Sequence, residues 1–352
     1  MLISGGGTPL SNNYSQYLQA KAFADAFARS QPADTTWVFF GIGNRDDAPP
    51  VQADVRRVVK RDGVLVESWL PGVIRGNRPA TKETILRALR EEILPAVQDG
   101  GTLHLIVGDH GELAGKGEAE ESAITLWQLK RTTQGGWHTD KSEVLRVSEL
   151  RTTLLAGIGR GRVVFGMTQC HSGGFHELAV TREMAPYRAW FTAPPEGLTG
   201  PRPGLRLAAA GFTATDQASL AAGCDPDPDP ERWAGYERFL PERLLGLDLM
   251  TGRPLPAHAS LASAHEAATL IDRTIDKPRA TSDHYLEAWA RVIEERVART
   301  LALTPQAQRA VTEFETTLET GRVVTSDAAL QARQALFELS LIHISEPTRL
   351  GM

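Results

Sequence analysis

Short apolar runs alternate along the chain with longer stretches in which apolar residues recur at helical spacing. Five runs are typical of buried strands: LI at 2–3, TTWVFFGIG at 35–43, TLHLIVG at 102–108, RVVFGMTQ at 162–169 and GLRLAAAGFTAT at 204–215. Three stretches predict helices: residues 12–30, a segment that begins after Thr81 as N-cap, and residues 142–158. AITLWQL predicts one more strand, alone or paired with GGWHT, and residues 44–63 are expected to be loop and polar chain.

This alternation of strands and helices predicts a three-layer αβα sandwich around a mainly parallel sheet of roughly six strands. In such sheets, ligands bind beyond the carboxyl ends of the strands. His110 and Cys170 each stand at the carboxyl end of a predicted strand. Neighbouring strands lie about 5 Å apart, so these side chains can face each other although they are distant in sequence.

The composition of the sequence changes at about Pro226, within the acidic stretch DPDPDPE at 225–231, which we expect to be a loop. We expect one domain over residues 1–240 and a second region over residues 241–338, which is irregular to about residue 280 and then helical. Residues 339–349, LSLIHISEPTR, resemble the translation of an adapter used in DNA library preparation. We therefore expect residues 339–352 to be an artefact; the alternative is an amphipathic tail.

Composition and net charge indicate which partners, locations and covalent links to expect. The chain has 352 residues, of which 41% are hydrophobic and 23% charged, and its net charge of −5 argues against a nucleic-acid partner. It lacks an apolar run of about 18 residues, so we expect no membrane span. The start MLISGGG lacks the features of a secretory signal, which predicts a cytoplasmic protein, although a start further upstream remains open. Two cysteines are too few for a disulfide framework, and we expect both to be free thiols.

The two strand ends VGDHGE and TQCHSGG carry the parts of a nucleophilic site. A cysteine attacks a carbonyl as thiolate, and a histidine can remove its proton and later protonate a leaving amine. Gly111 allows a tight turn beside His110, and we expect Gly173 and Gly174 to let a substrate backbone approach. The sequence therefore favours a Cys-His pair.

The sequence gives less support to other kinds of site at these and neighbouring residues. Cys170, His171 and His176 lack the fourth ligand of a zinc site, and we expect no metal and no cofactor. Ser172 lacks the Gly-x-Ser-x-Gly elbow of a serine nucleophile, and the glycines after the first strand lack a nucleotide-binding pattern. The Asp-Pro run is expected to be a solvated loop, with calcium binding as the alternative. Cys224 is expected to be structural.

An apolar strand ending in His-Gly, followed by a second ending in Cys, resembles the caspase–hemoglobinase fold of cysteine peptidases. CHSG at 170–173 and RPATKETILRALRE at 78–91 resemble metacaspases. Three stretches resemble legumains: Asn13-Tyr14, WVFFGIGNRDDAP at 37–49, and AAGFTATDQASLAAGC at 209–224, which in legumains lies beside the S1 pocket. The resemblance covers roughly residues 2–240.

This resemblance implies a role for each matching residue. His110 would be the general base and acid, Cys170 the nucleophile, and Asn13 the residue that orients His110. The N–H groups of Gly111 and Cys170 would form the oxyanion hole. Candidate substrate-binding residues are Asp46, Asp47, His171, Ser172, Ser219 and Asp225. Thr168 and His171 depart from the acidic residues that metacaspases and legumains carry at these positions, which leaves the P1 preference open.

The sequence therefore predicts a cysteine endopeptidase that acts on polypeptides through a thioester. A transamidase or ligase of the same fold is the alternative enzyme, and a catalytically silent caspase-like binding module is the alternative of another class. The helices of residues 283–338 are candidates for a homodimer interface.

Overall fold

The protein is described by a computed structural model over residues 1–30, 35–45, 50–116, 120–179, 207–226, 228 and 233–287. Its strands are, in chain order, β1 (Leu2–Ser4), β2 (Val38–Phe40), β3 (Ala53–Arg61), β4 (Val64–Pro71), β5 (Asn77–Arg78), β6 (Thr102–Gly108), β7 (Gly111–Ala114), β8 (Glu121–Thr125), β9 (Leu129–Arg131), β10 (Trp137–Thr139), β11 (Val144–Arg146), β12 (Arg162–Met167), β13 (Ala209–Thr213) and β14 (Arg279–Ala280). Its α-helices are α1 (Tyr14–Ser30), α2 (Lys82–Ala88), α3 (Leu94–Val97), α4 (Val147–Gly157), α5 (Tyr236–Leu245) and α6 (Leu261–Ile271), with a π-turn (Leu89–Ile93) joining α2 to α3.

The central sheet has seven strands among the described residues, in the order β14-β13-β12-β6-β1-β2-β5. Every pairing is parallel except that between β13 and β14. The order reverses between β1 and β6, which makes their carboxyl ends the switch point of the sheet. In register, Ile3 lies opposite Phe39 on one side and Val107 on the other.

Alternating side chains divide the core between the two faces of the sheet. One face packs against α2, α3 and α4 and includes Ile3, Phe39, Leu105, Val107 and Phe165. The opposite face packs against α1 and includes Leu2, Val38, Phe40 and Ile106. Leu240 of α5 and Leu261 of α6 lie over Gly166 on this second side. The predicted three-layer α/β architecture with a mostly parallel sheet is thus confirmed.

The apolar runs located the strands of this sheet well, and Thr81 caps α2 by accepting a hydrogen bond from the Thr84 N–H (3.4 Å). Two predictions of irregular chain were wrong. Residues 53–71 form the β3–β4 hairpin, and residues 236–245 and 261–271 are helices. The hairpin is tied to the body of the protein along β3, where the N–H of Arg56 donates to Asn12 O (2.7 Å) and the N–H of Val58 donates to Pro226 O (2.8 Å).

The chain divides into two compact units, residues 1–286 and residues 287–352. The expected domain boundary at residue 240 falls inside α5, which packs against α1 of the first unit. The predicted helices beyond residue 287, the candidate dimer interface and the adapter-like residues 339–352 lie outside the described residues. Within the described part of the chain, the helices are too short or too polar to cross a bilayer.

Candidate active site at the switch point of the sheet

His110 lies in a tight turn between the end of β6 and the start of β7. Its Nε2 atom lies 2.6 Å from the carbonyl oxygen of Ser11, in the loop that follows β1. Because a carbonyl oxygen can only accept, Nε2 carries the proton and Nδ1 is the basic nitrogen of the neutral ring. Burial lowers the pKa of His110 below its usual value, and the bond to Ser11 opposes part of this shift. The imidazole is therefore neutral at pH 7.

Cys170 follows β12 and is half-buried. Its Sγ atom accepts a hydrogen bond from the Ala221 N–H (3.3 Å) and lies 3.8 Å from Ala221 O. Burial raises the pKa of the Cys170 thiol, the Ala221 N–H opposes this shift, and the charges of Glu237 and Asp276 add to it. The sulfur is therefore a thiol at neutral pH.

The His110 turn and the Cys170 turn lie directly against each other. A Cβ atom placed on Gly111 would collide with the carbonyl oxygen of Cys170 and approach Gln169 Cγ to 2.7 Å. Only glycine permits this approach. The turns that carry the predicted base and nucleophile are thus neighbours at the carboxyl edge of β6 and β12, which are adjacent strands.

The N–H of Gly111 is not used by the β7–β8 ladder. The N–H of Thr125 donates to His110 O (3.0 Å), so His110 and Thr125 form a hydrogen-bonded pair. The next pair, Gly111 and Ile124, is then a non-hydrogen-bonded one, in which both N–H groups point outward.

The loop after β13 covers Cys170 and its neighbour. The N–H of His171 donates to Ser219 O (2.9 Å), and its Nδ1 lies 2.9 Å from Gln217 O. His171 adopts a left-handed conformation, with φ of 56°, which turns the chain sharply after the nucleophile. Asp225 lies farther along this loop, where its N–H donates to Ser15 Oγ (2.9 Å). His171 and Ser219 thus lie together beside Cys170, whereas Asp225 contacts the start of α1.

The predicted role of Asn13 is wrong. Its Nδ2 donates to Cys224 O, and its Oδ1 has no hydrogen-bond partner among the described residues. The atom that orients the His110 ring is the backbone carbonyl of Ser11. A backbone atom leaves no trace in residue type, which is why sequence reasoning assigned this role to a side chain.

Ser172, Gly173 and Gly174 serve packing and do not face a substrate. Ser172 is fully buried, and its Oγ accepts from the Thr215 N–H (3.3 Å). A Cβ atom on Gly173 would lie 2.6 Å from Thr215 O, and one on Gly174 would collide with Ser122 Oγ. The prediction that Ser172 binds substrate is therefore wrong, as is the substrate approach at the two glycines. Asp46 and Asp47 lie outside the described residues.

Two buried carboxyl groups beneath the site, Asp109 and Glu237, were missed as functional neighbours. Asp109 and Glu237 are each 2% exposed, and burial raises the pKa of both carboxyls to about 8. The thiol of Cys224 donates to Asp109 O (3.6 Å), and the Cys224 N–H donates to Glu237 Oε2 (2.7 Å). Burial also raises the pKa of the Cys224 thiol well above its usual value. Cys224 is thus a structural, protonated thiol, as predicted.

Buried amides of α1 complete this polar layer. Gln16 Nε2 lies 3.5 Å from Cys224 Sγ, and Gln19 Nε2 donates to Glu237 O (2.9 Å) and Thr168 Oγ1 (3.3 Å). Both glutamines are fully buried. Their spacing of three residues places them on one face of the helix, and two amides on an otherwise apolar face could have signalled a buried polar contact.

The described residues around this pair do not form a metal site. Both ring nitrogens of His176 lie 3.0 Å from threonine hydroxyls, at Thr281 and Thr213, so neither is open to a metal ion. No cluster of three or more potential ligands occurs among the described residues. A cavity of about 900 Å³ lies at the opposite edge of the sheet, beside Thr102 and His104 at the amino end of β6.

We expect Cys170 to be alkylated slowly at neutral pH. Because burial raises its pKa, the rate with iodoacetamide should rise with a midpoint above about 8.5, the value of an ordinary thiol. The measurement uses the Cys224→Ala variant, which leaves one thiol in the chain. A rate that is already maximal at pH 7 would instead indicate a preformed thiolate–imidazolium pair.

Of the comparisons with known proteins, only that with solved structures gives a match. Neither the models of protein families nor the curated proteins match this sequence. Among the solved structures that match, a crystal structure of a Geobacter sulfurreducens protein from a structural genomics programme is 13% identical, with a TM-score of 0.39. The match covers 79% of this chain and 90% of that one. At this TM-score, the likeness carries no conclusion about fold or function.

Proposed function

We propose that the protein is a cysteine endopeptidase of the caspase–hemoglobinase fold, with Cys170 as nucleophile and His110 as general base. One observation carries the proposal: the glycine-dependent contact of Gly111 with the Cys170 carbonyl, which brings the two turns together at the carboxyl ends of β6 and β12, beside the switch point of the sheet. The sheet order supports it, because doubly wound sheets bind ligands at this edge.

The hydrogen bond from His110 Nε2 to Ser11 supports Nδ1 as the nitrogen that would accept a proton in the proposed reaction. In the first step, Nδ1 of His110 accepts the Cys170 proton as the sulfur bonds to the peptide carbonyl carbon. The imidazolium then gives that proton to the leaving amine while the C–N bond breaks, which leaves a thioester. In the second half, His110 takes a proton from water, the hydroxide attacks the thioester, and the thiol is regenerated with release of the acid.

The ionisation states at rest favour this general-base route. A neutral imidazole can accept a proton, and a neutral thiol can supply one, so the thiolate forms only as the carbonyl is attacked. The developing oxyanion would be held by the outward N–H of Gly111 and by the N–H of Cys170 itself. Each such donor contributes a factor of about 10²–10³ in other enzymes.

The loop after β13 supports an extended polypeptide as the substrate class. It contacts Cys170 through the backbone of Ala221 and the neighbouring His171 through the carbonyl of Ser219, and it continues to Asp225 at the start of α1. His171 lies at its rim. His171, Ser219 and Asp225 remain the candidates for substrate binding.

A catalytically silent binding module is the second candidate, and one contact favours it. Both the N–H and the carbonyl of Ala221 lie close to Cys170 Sγ, so the loop rests on the nucleophile. A peptidase must move this loop to admit a substrate carbonyl, whereas a silent module would keep it in place.

Cleavage of a peptide library, analysed by mass spectrometry, tests the proposal. The wild-type protein should cut internal peptide bonds, and Cys170→Ala should cut none. Adding a peptide with a free amino terminus in excess separates hydrolysis from the alternative transamidase reaction, because a transamidase would join the two peptides. Absence of both products with a correctly folded protein would favour the silent module.

A further inference from the structure

We propose that Asp109 is a positioning residue for His110, which it ties to the loop that orients the imidazole. The inference rests on the proposed function in that His110 is taken as the general base. We define the orienting loop as residues 5–11, between β1 and α1.

The Asp109 carboxylate bridges two backbone segments. Both of its oxygens accept from the Gly6 N–H, at 2.8 and 2.9 Å, and Oδ1 also accepts from the His110 N–H at 2.7 Å. Asp109 is buried, so water does not compete for these bonds. The carboxylate therefore holds the start of the orienting loop against the backbone of His110.

The other end of the same loop holds the imidazole ring. Ser11 offers its carbonyl to His110 Nε2. Within the loop, the Ser11 N–H donates to Thr8 O (2.9 Å) and the Thr8 N–H donates to Ser11 Oγ (2.9 Å). The orienting loop is thus a closed unit that touches His110 at its backbone through Asp109 and at its ring through Ser11.

Two further contacts fix this unit in the fold. Gly7 donates its N–H to Leu126 O (2.8 Å) and accepts from the Gln128 N–H (2.7 Å). A Cβ atom on Gly6 would collide with Thr125 O and lie 2.8 Å from Asp109 Oδ1. Glycine after β1 therefore allows the backbone to approach Asp109 closely. The Gly6 N–H donates to Asp109 and is thus already used, whereas a nucleotide phosphate would need it as a donor.

A buried carboxylate elsewhere in the fold provides a matched control for a merely structural role. Asp54 is 1% exposed and accepts from the Gly72 N–H (2.7 Å), Asn44 Nδ2 (2.7 Å) and the Ile42 N–H (3.2 Å). None of these partners belongs to the orienting loop or to the His110 turn. Asp54→Asn and Asp109→Asn make the same carboxyl-to-amide replacement at comparably buried positions.

The test is a pH titration of ¹⁵N-histidine-labelled protein followed by NMR, with the His110 signals assigned by their loss in His110→Gln. In the wild type, the neutral ring should be protonated at Nε2 and titrate below about 6.5. In Asp109→Asn, we expect the pKa to move up towards about 6.5 and the two tautomers to mix, because the ring is no longer held. In Asp54→Asn, the His110 signals should stay unchanged even if the melting temperature falls.

The proposal is overturned if folded Asp109→Asn leaves the tautomer and pKa of His110 unchanged, or if Asp54→Asn alters them equally. If Asp109→Asn does not fold, amide hydrogen exchange of the wild-type protein tests the proposal instead. The amides of Gly6 and His110 should both exchange slowly, because both donate to Asp109. Fast exchange at Gly6 would contradict the proposed role of Asp109. These readouts need no substrate. If Asp109→Asn shifts the pKa and tautomer of His110 but the wild-type protein cleaves no peptide, the proposed peptidase function is wrong and the positioning role of Asp109 is still supported.

Discussion

Replacing Cys170 by alanine is expected to abolish peptide hydrolysis, with a loss in kcat of at least about 10⁴-fold. The variant lacks the atom that forms the thioester, and the described structure offers no second nucleophile in its place. We expect Cys224 not to substitute, because its thiol donates to Asp109 O and lies beside Gln16, beneath the site. The measurement is the initial rate on the best peptide from the library.

The control for this prediction is Cys224→Ala, which removes the other thiol of the chain. We expect it to retain hydrolysis, with a reduced melting temperature from the lost packing. Hydrolysis that survives in Cys170→Ala and vanishes in a folded Cys224→Ala would show that the nucleophile has been assigned to the wrong cysteine.

Replacing Gly111 by alanine should have the second-largest effect. The added Cβ collides with the Cys170 carbonyl, so the two turns must separate and the outward N–H must move. Loss of one oxyanion donor alone costs about 10²–10³-fold in kcat, and displacement of His110 from the thiol adds to that. We expect the rate to fall by at least this factor, together with a lower melting temperature.

Gly166→Ala, four positions before Cys170 on β12, is the matched control for Gly111→Ala. A Cβ there would meet its nearest neighbour, Ile106 Cδ1, at 3.4 Å, which is ordinary van der Waals contact. This variant should retain most of the activity. A Gly111→Ala protein that is as active as Gly166→Ala would mean that the close approach of the two turns has no role in catalysis.

The sequence predicted the strands because buried parallel strands are continuous apolar runs, as in TLHLIVG of β6. It missed the β3–β4 hairpin, whose ADVRRVVKR strand is polar along much of its length and is exposed at its end. It also missed α5 and α6, because proline at 241 within α5 and the small residues of α6 resemble irregular chain.

The sequence predicted those parts of the site whose position depends only on where the strands end. His110 and Cys170 follow adjacent parallel strands, so the neighbouring position of their two turns follows from topology. The orienting role of the Ser11 carbonyl did not follow, since it depends on the path of a loop. Asp109 carried a weak signal: a carboxylate directly after a buried strand, in a chain whose neighbouring strand ends in glycines with N–H groups to offer.

The central claim is that the sulfur of Cys170 faces a substrate carbonyl with His110 as its base. The most direct measurement is labelling with a peptide acyloxymethyl ketone, followed by peptide mapping of the adduct. We predict a single adduct on Cys170, absent from Cys170→Ala, present in Cys224→Ala, and formed far more slowly in His110→Ala. An adduct on Cys224, or a rate unaffected by His110→Ala, would contradict the account.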